Sequence, residues 1–416
     1  MNWPRSSAGL RRTYHGWWVV GACFVIAAFG WGLGLFGASV YLQAITAAQG
    51  WPVSQVASAI TLLFLVSAAA QRSVARSIAR WGPRPVLCCG AVALAAGPCL
   101  IGQVSAPWQI YPCFVVLGLG WAILSTTGIT TTVAPWFERH QGRSMTLAVM
   151  GASLGAIVGV PLLLLALHRL GLGLGLAVAG LASAAVLLPM IGRVMRFRGP
   201  AALGLAPDGG IASARDAPAT SPVVAGGAQR RLLWSTAMGF ALALLVQIGF
   251  ITHHVVLAAP LLGSAGAGLL VSATGLIAFV GRLVLAAIVD RVDPRRLAVS
   301  VLALQAAALL AIACWPVAPV LIGASLAYGY AIGHVTTLGP IVVRREFGAQ
   351  QFGALYGRVA TVIGFTSAFG PALFGLLHDG WGSYRPGLVI ASALLVAASL
   401  TLLVGGSAEP RQAAGR

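Results

Sequence analysis

Residues able to do chemistry are scarce in this chain of 416 residues, because only 8% of it is charged. All eight acidic side chains fall in polar links or at the ends of apolar runs. Arg282 stands apart: it lies inside an apolar run, eight residues before Asp290 at the run's end. At about 1.5 Å per helical residue, that places it roughly 12 Å inside a hydrocarbon layer about 30 Å thick. An arginine at such depth costs at least about 2.5 kcal/mol, so its guanidinium must face water, a partner or an anion. Two readings follow. Either Arg282 bonds backbone carbonyls of a neighbouring helix, or it grips a carboxylate ligand through two parallel hydrogen bonds, the ligand supplying the charge that no buried acid provides.

Arg358 sits about six residues into a later run, roughly 9 Å deep, where it lines a vestibule or snorkels to the edge. Gln247 and His254 are seven apart and share a helix face, with His253 beside them; Tyr330 and His334 are four apart, with Tyr328 nearby. Histidines are the only groups within runs that titrate near neutral pH, so these clusters are candidates for ligand hydrogen bonds or proton transfer, or for plain interhelical bonds. No third and fourth ligand is arranged beside them for a metal, and no cofactor is expected. A nucleophilic triad and a Walker loop are likewise missing, which argues against a membrane-embedded enzyme.

The elements that must position these residues follow from composition. Apolar residues make up 58% of the chain, whereas soluble domains carry about 25% charged residues against the 8% here. Apolar runs long enough to cross a bilayer recur at roughly 17–42, 53–75, 85–104, 108–134, 145–167, 171–193, 233–260, 266–289, 297–316, 318–342, 353–377 and 384–405. Stretches such as Pro85 to Val104 are apolar all round, which excludes the alternation of barrel strands and predicts helices. The run from Trp17 is too long for a signal peptide's core and reads as a helix that stays. The six cysteines lie in or beside these runs and read as free thiols.

The formal charge of +18 would suggest nucleic acid in a soluble protein, but its placement does not. Twenty-two of the 26 arginines fall at the termini and in the links after spans 2, 4, 6, 8 and 10; the opposite links carry only Arg169 and Arg385. That asymmetry predicts a multi-pass protein with both termini cytoplasmic; the expected location is the inner membrane of a bacterium. A Gly-, Pro- and Ala-rich stretch at 196–231 divides the chain into an N-terminal bundle, 1–195, and a C-terminal bundle, 232–416. A weak repeat agrees: Arg80-Trp-Gly-Pro-Arg84 shares its R-x-x-P-R spacing with Arg291-Val-Asp-Pro-Arg295, an offset of 211 residues. At that offset Arg282 corresponds to Gln71, so both halves place a polar side chain at equivalent depth. Gln71 either shares a ligand site or bonds a neighbouring helix.

These two links resemble the D-R-x-G-x-R signature of major facilitator transporters. Arg80, Gly82 and Arg84 fit the first copy, where Ala79 replaces the aspartate; Asp290, Arg291 and Arg295 fit the second, where Asp293 replaces the glycine. The resemblance implies an all-α integral membrane fold of twelve helices in two pseudo-symmetric six-helix bundles, with these residues acting at a gate. His15-Gly-Trp17-Trp18, Trp136-Phe137 through Gly142-Arg143, the Gly151, Gly155, Gly159, Pro161 run and Gly281-Arg282-Leu283 are similar to the monocarboxylate and oxalate/formate branch. There the span 8 arginine contacts a substrate carboxylate, which Arg282 matches. Ala278 stands where proton-linked members carry a carboxylate, and Ile363 about where the oxalate carriers carry a second cation. In this family spans 1, 4, 7 and 10 line the cavity, which implies substrate contact by Gln247, His253, His254, Tyr328, Tyr330 and His334.

The expected function is alternating-access transport of a small organic anion, a monocarboxylate, by proton symport or anion exchange, with the lipid bilayer as surroundings. Efflux of a hydrophobic or drug-like compound is the alternative within transport, and a non-transporting receptor the alternative outside it.

Overall fold

The structure, a computed structural model, describes residues 14–404 apart from 139, 210–226 and 290. The described chain is helical, without strands. The first crossing joins α1 (His15–Gly30), a π-helical turn (Trp31–Leu35) and α2 (Gly37–Gln49). Then come α3 (Val53–Trp81), α4 (Pro83–Ile101), α5 (Ile110–Leu124) and α6 (Thr126–Val133). A second π-helical turn (Gly155–Gly159) lies between α7 (Gln141–Leu154) and α8 (Val160–Val194). The second half holds α9 (Gly227–Ile288), α10 (Pro294–Cys314), α11 (Ala318–Ala368), α12 (Gly370–Trp381) and α13 (Arg385–Val404).

Ten described stretches are long and apolar enough to cross a membrane. Two of them, Gly142–Val194 with 53 residues and Gln229–Ile288 with 60, far exceed the length of about 20 that one crossing needs. Each is broken by a glycine at positive φ, Gly171 at 75° and Gly263 at 70°, a conformation that costs side-chain-bearing residues energy. Both breaks fall at links expected from the sequence. One expected link is not broken: the helix runs on through 343–352, so α11 covers 51 residues. Its polar residues there, Arg344, Arg345 and Glu346, are good helix formers and no proline interrupts them.

Leucines such as Leu162, Leu181, Leu269 and Leu400 are exposed on the flanks, as hydrocarbon solvent permits and water does not. Exposed tryptophans mark both ends of the helices. Trp18, Trp81 and Trp234 lie at the end that bears the termini, and Trp108, Trp315 and Trp381 at the other, as in the aromatic belts of membrane proteins. Helices approach closely through small residues. A Cβ at Gly155 would stand 2.5 Å from the Ala28 carbonyl and 2.6 Å from the Gly32 nitrogen, so the two π-helical turns meet backbone to backbone. Spacing by small residues at 151, 155 and 159 serves this contact.

The two halves of the chain touch at the end away from the termini. Asp379 Oδ2 accepts a hydrogen bond from the Ser54 backbone at 2.7 Å, Thr61 Oγ1 accepts from the Ala372 backbone at 3.0 Å, and Gly375 backs onto Ser54 and Ala57. At the end bearing the termini they part around a cleft of about 680 Å³ between α3, α6 and α11. The conformation is closed on one side and open on the other.

Candidate functional site

Between these ends lies a small enclosed cavity of about 60 Å³, built from both halves. Trp31, Ser153 and Ala156 border it from the first half, and Gln247, His254, Ala278 and Arg282 from the second. Arg282 Nη1 donates to Ser153 Oγ at 2.8 Å, its one hydrogen bond from the side chain among the described residues. A guanidinium has five N–H donors, so most of its capacity remains for something in the cavity. No carboxylate lines that space among the described residues. Arg282 reaches it because Gly281 and Gly333 let α11 lie against α9: a Cβ at Gly281 would collide with the Tyr330 carbonyl.

The spacing of Gln247 and His254 does place both on this cavity. Gln305 Nε2 donates to Gln247 Oε1 at 3.4 Å, which leaves the Gln247 amide N–H groups as donors. His254 Nε2 is 3.0 Å from Ser325 Oγ, and its ring lies against Phe250. The cavity thus gathers donors and an ionisable imidazole around open space with apolar walls. Such a set can desolvate, bind and orient a small anion.

Other expected residues lie elsewhere. His253 faces away: its Nε2 is 3.0 Å from the Pro371 carbonyl, which can only accept, so Nε2 carries the proton and Nδ1 accepts from the Tyr384 hydroxyl at 2.8 Å. His334 Nδ1 donates to the Tyr330 carbonyl of its own helix at 2.9 Å, with the Tyr330 ring beside it. Tyr328 is fully buried against Phe250 and its hydroxyl has no described partner. None of these four lines the cavity. Gln71 and Arg358 are together, but in the open cleft, where Gln71 accepts from Thr127 Oγ1 at 3.3 Å.

Of the gate residues, Asp290 lies outside the described residues. Arg80 stacks on Trp81 at 5.8 Å, and Arg198, at the start of the linker, lies against Gly82. Arg84 and Arg291 are exposed. Arg295 is buried in a clamp within the second half: it pairs with Glu346 through Nε at 2.7 Å and Nη2 at 3.0 Å, and also bonds Ser235, Thr236 and the Leu402 carbonyl. It thereby ties α9, α10, α11 and α13 together. In this conformation none of the described four spans the two halves. Asp208, at the start of the linker, instead ties itself to the link after α6 through the Glu138 backbone at 2.9 Å.

Sequence reading missed Ser153 and Glu346. Ser153 hid in a small-residue run whose glycines carried the packing signal, and only proximity to Arg282 marks it. Glu346 looked like an ordinary link acid beside two arginines.

Relatives share this architecture. A bacterial homologue of the human lysosomal transporter Spinster, solved inward-facing and unoccupied, superposes with a TM-score of 0.65 at 13% identity, over 95% of this chain and 96% of that one. The Bos taurus protein named monocarboxylate transporter 13 is 27% identical over 401 residues, covering 93% of this chain and 88% of its own. The oxalate:formate antiporter of Oxalobacter formigenes is 26% identical over 161 residues, 39% of this chain and 38% of that protein. The family model described as Major Facilitator Superfamily matches residues 20–266 and again 235–415. A chain whose described residues are helical with apolar crossings, matched by that family along nearly its whole length, belongs to the Major Facilitator Superfamily and is a multi-pass membrane protein of that transporter family.

Proposed function

We propose that the protein moves a small organic anion, a monocarboxylate, across the membrane by alternating access, with Arg282 pairing the carboxylate. The observation carrying this reading is the enclosed cavity that holds an arginine and no acid. A cation would meet an uncompensated positive charge there. A drug-sized compound needs a pocket of about 300–1,000 Å³, against the roughly 60 Å³ of the cavity at Arg282. A bidentate guanidinium–carboxylate pair fits the remaining donors of Arg282, and Gln247 and His254 supply further hydrogen bonds. The names of two relatives, a monocarboxylate transporter and an oxalate:formate antiporter, point the same way.

The moving parts in this reading are two six-helix bundles, 1–195 and 232–416, joined by the 196–231 linker. Contacts at Ser54, Thr61, Ala372 and Asp379 close the outer end, and the cleft at Gln71 and Arg358 opens to the cytoplasm. Both termini are cytoplasmic, by the distribution of arginines, in a bacterial inner membrane. The Arg80, Arg84, Asp290 and Arg291 links meet the opposite bundle when the inner end closes. His254, rather than His253, is the group placed to take a proton with the substrate; without that step the same site supports anion exchange.

The test is uptake of labelled formate, lactate, pyruvate and oxalate into proteoliposomes under an imposed pH gradient. Arg282→Ala is expected to abolish uptake, with Arg282→Lys retaining a minor fraction because an ammonium cannot reproduce the fork. Equal flux through the intact protein and Arg282→Ala would sink the site assignment. His254→Ala separates the coupling modes: loss of accumulation driven by the pH gradient alone, with exchange intact, marks symport.

A further inference from the structure

Beside the inner end of the first crossing of α9 is a groove of about 310 Å³ between α9 and α11. Arg230 and Arg358 both line it, and no carboxylate does so among the described residues. Its accessible wall is otherwise apolar, Leu233, Val362 and Trp234, backed by the buried Leu355 and Val359. Trp234 is 50% exposed and belongs to the belt of tryptophans at this end of the helices, so the groove lies at headgroup depth.

We propose that this groove binds an acidic phospholipid, its phosphate between Arg230 and Arg358 and the start of an acyl chain along Leu233, Val362 and Trp234. Charge complementarity selects the phosphate: two arginines with no acid beside them among the described residues lack a counter-ion, and a phosphodiester offers two charged oxygens that both guanidiniums can share. The apolar wall selects a lipid over a free ion, because inorganic phosphate would leave that surface uncovered. Arg358 gives the site a consequence for transport. It lines both this groove and the central cleft, so a headgroup held on one side takes up charge that otherwise faces the other. Lipid composition therefore sets the positive potential that an anion meets in the cleft.

The test uses the full chain in neutral detergent, titrated with dioleoylphosphatidylglycerol, dioleoylphosphatidylcholine or inorganic phosphate, with bound lipid counted by native mass spectrometry. Saturable binding of the acidic lipid is expected, with Arg230→Gln and Arg358→Gln each weakening it about fivefold, the effect of losing one arginine near an anionic headgroup. Arg76→Gln, which removes the same charge from the same end of the first half, is expected to leave it unchanged. If Arg358→Gln does not yield monodisperse protein, Arg230→Gln decides the matter alone. Equal binding of the two lipids, an equal loss in Arg76→Gln, or competition by inorganic phosphate at comparable concentration would overturn the proposal.

Discussion

Removing the Asp379 carboxylate should release the closed end of the protein. Ser54 is the second residue of α3, and its N–H is one of the donors that a helix start leaves without an intrahelical partner. Asp379 Oδ2 accepts that N–H at 2.7 Å from the opposite half of the chain, and His378 Nδ1 holds the other carboxylate oxygen at 2.9 Å. A hydrogen bond to a charged group contributes about 1.5–3 kcal/mol. Asp379 is 28% exposed, which argues for the lower figure. Because the bond exists only while this end is closed, its loss in Asp379→Ala shifts the balance between closed and open forms by about 1.5 kcal/mol, or roughly tenfold. Electron-spin distance measurements with one label in the 50–52 turn and one in the 382–384 turn would read the change directly. The separated population should rise about tenfold, and Thr61→Val, which removes the acceptor for the Ala372 N–H, should push it further. An unchanged distance distribution in Asp379→Ala, with the protein folded, would show that this contact does not hold the two halves together.

Other perturbations test other parts of the architecture. Glu346→Leu should destabilise the protein by about 3–5 kcal/mol, read as loss of thermal stability in detergent, because it strands the buried Arg295; pairing it with Arg295→Met should recover most of that loss, and additive effects would refute the clamp. Ser153→Ala removes the described partner of Arg282 and should raise KM for the anion several-fold while leaving maximal flux within about twofold; a loss confined to flux would mean that Ser153 does not position the guanidinium. His253→Phe should cost stability through its lost bonds to Tyr384 and Pro371 without moving the pH profile of uptake, whereas a shifted profile would put His253 in the proton path. Gly155→Val should fail to give folded protein, since its side chain would enter the Ala28 carbonyl and Gly32 backbone; normal yield in a size-exclusion profile would contradict that contact.

Parts of the site were legible before any coordinates. Arg282 stood out as an arginine inside an apolar run, and the spacing of seven between Gln247 and His254 put those two on one helix face; all three line the cavity. Helical periodicity says only which residues share a face, not which face looks inward. Neighbouring residues on a helix point about 100° apart, so His253 turns to Tyr384 while His254 reaches the cavity. Gln71 and Arg282, equivalent under the 211-residue offset, line different spaces, the cleft and the cavity, which an offset in sequence does not reveal.

Hydrocarbon solvent acts on each residue according to its own polarity, and local composition is enough to register it. For that reason crossings, link positions and the one-sided placement of arginine could be read along the chain, and even the breaks at Gly171 and Gly263 fall where polarity interrupts the runs. Partnership is different. A hydrogen bond acts over about 3 Å and needs an angle, and Ser153 meets Arg282 across 129 positions of sequence only because the helices pack to bring them there. The same holds for Asp379 on Ser54 and Glu346 on Arg295. Which polar groups remain unpaired, and so available to an anion, was decided by packing alone.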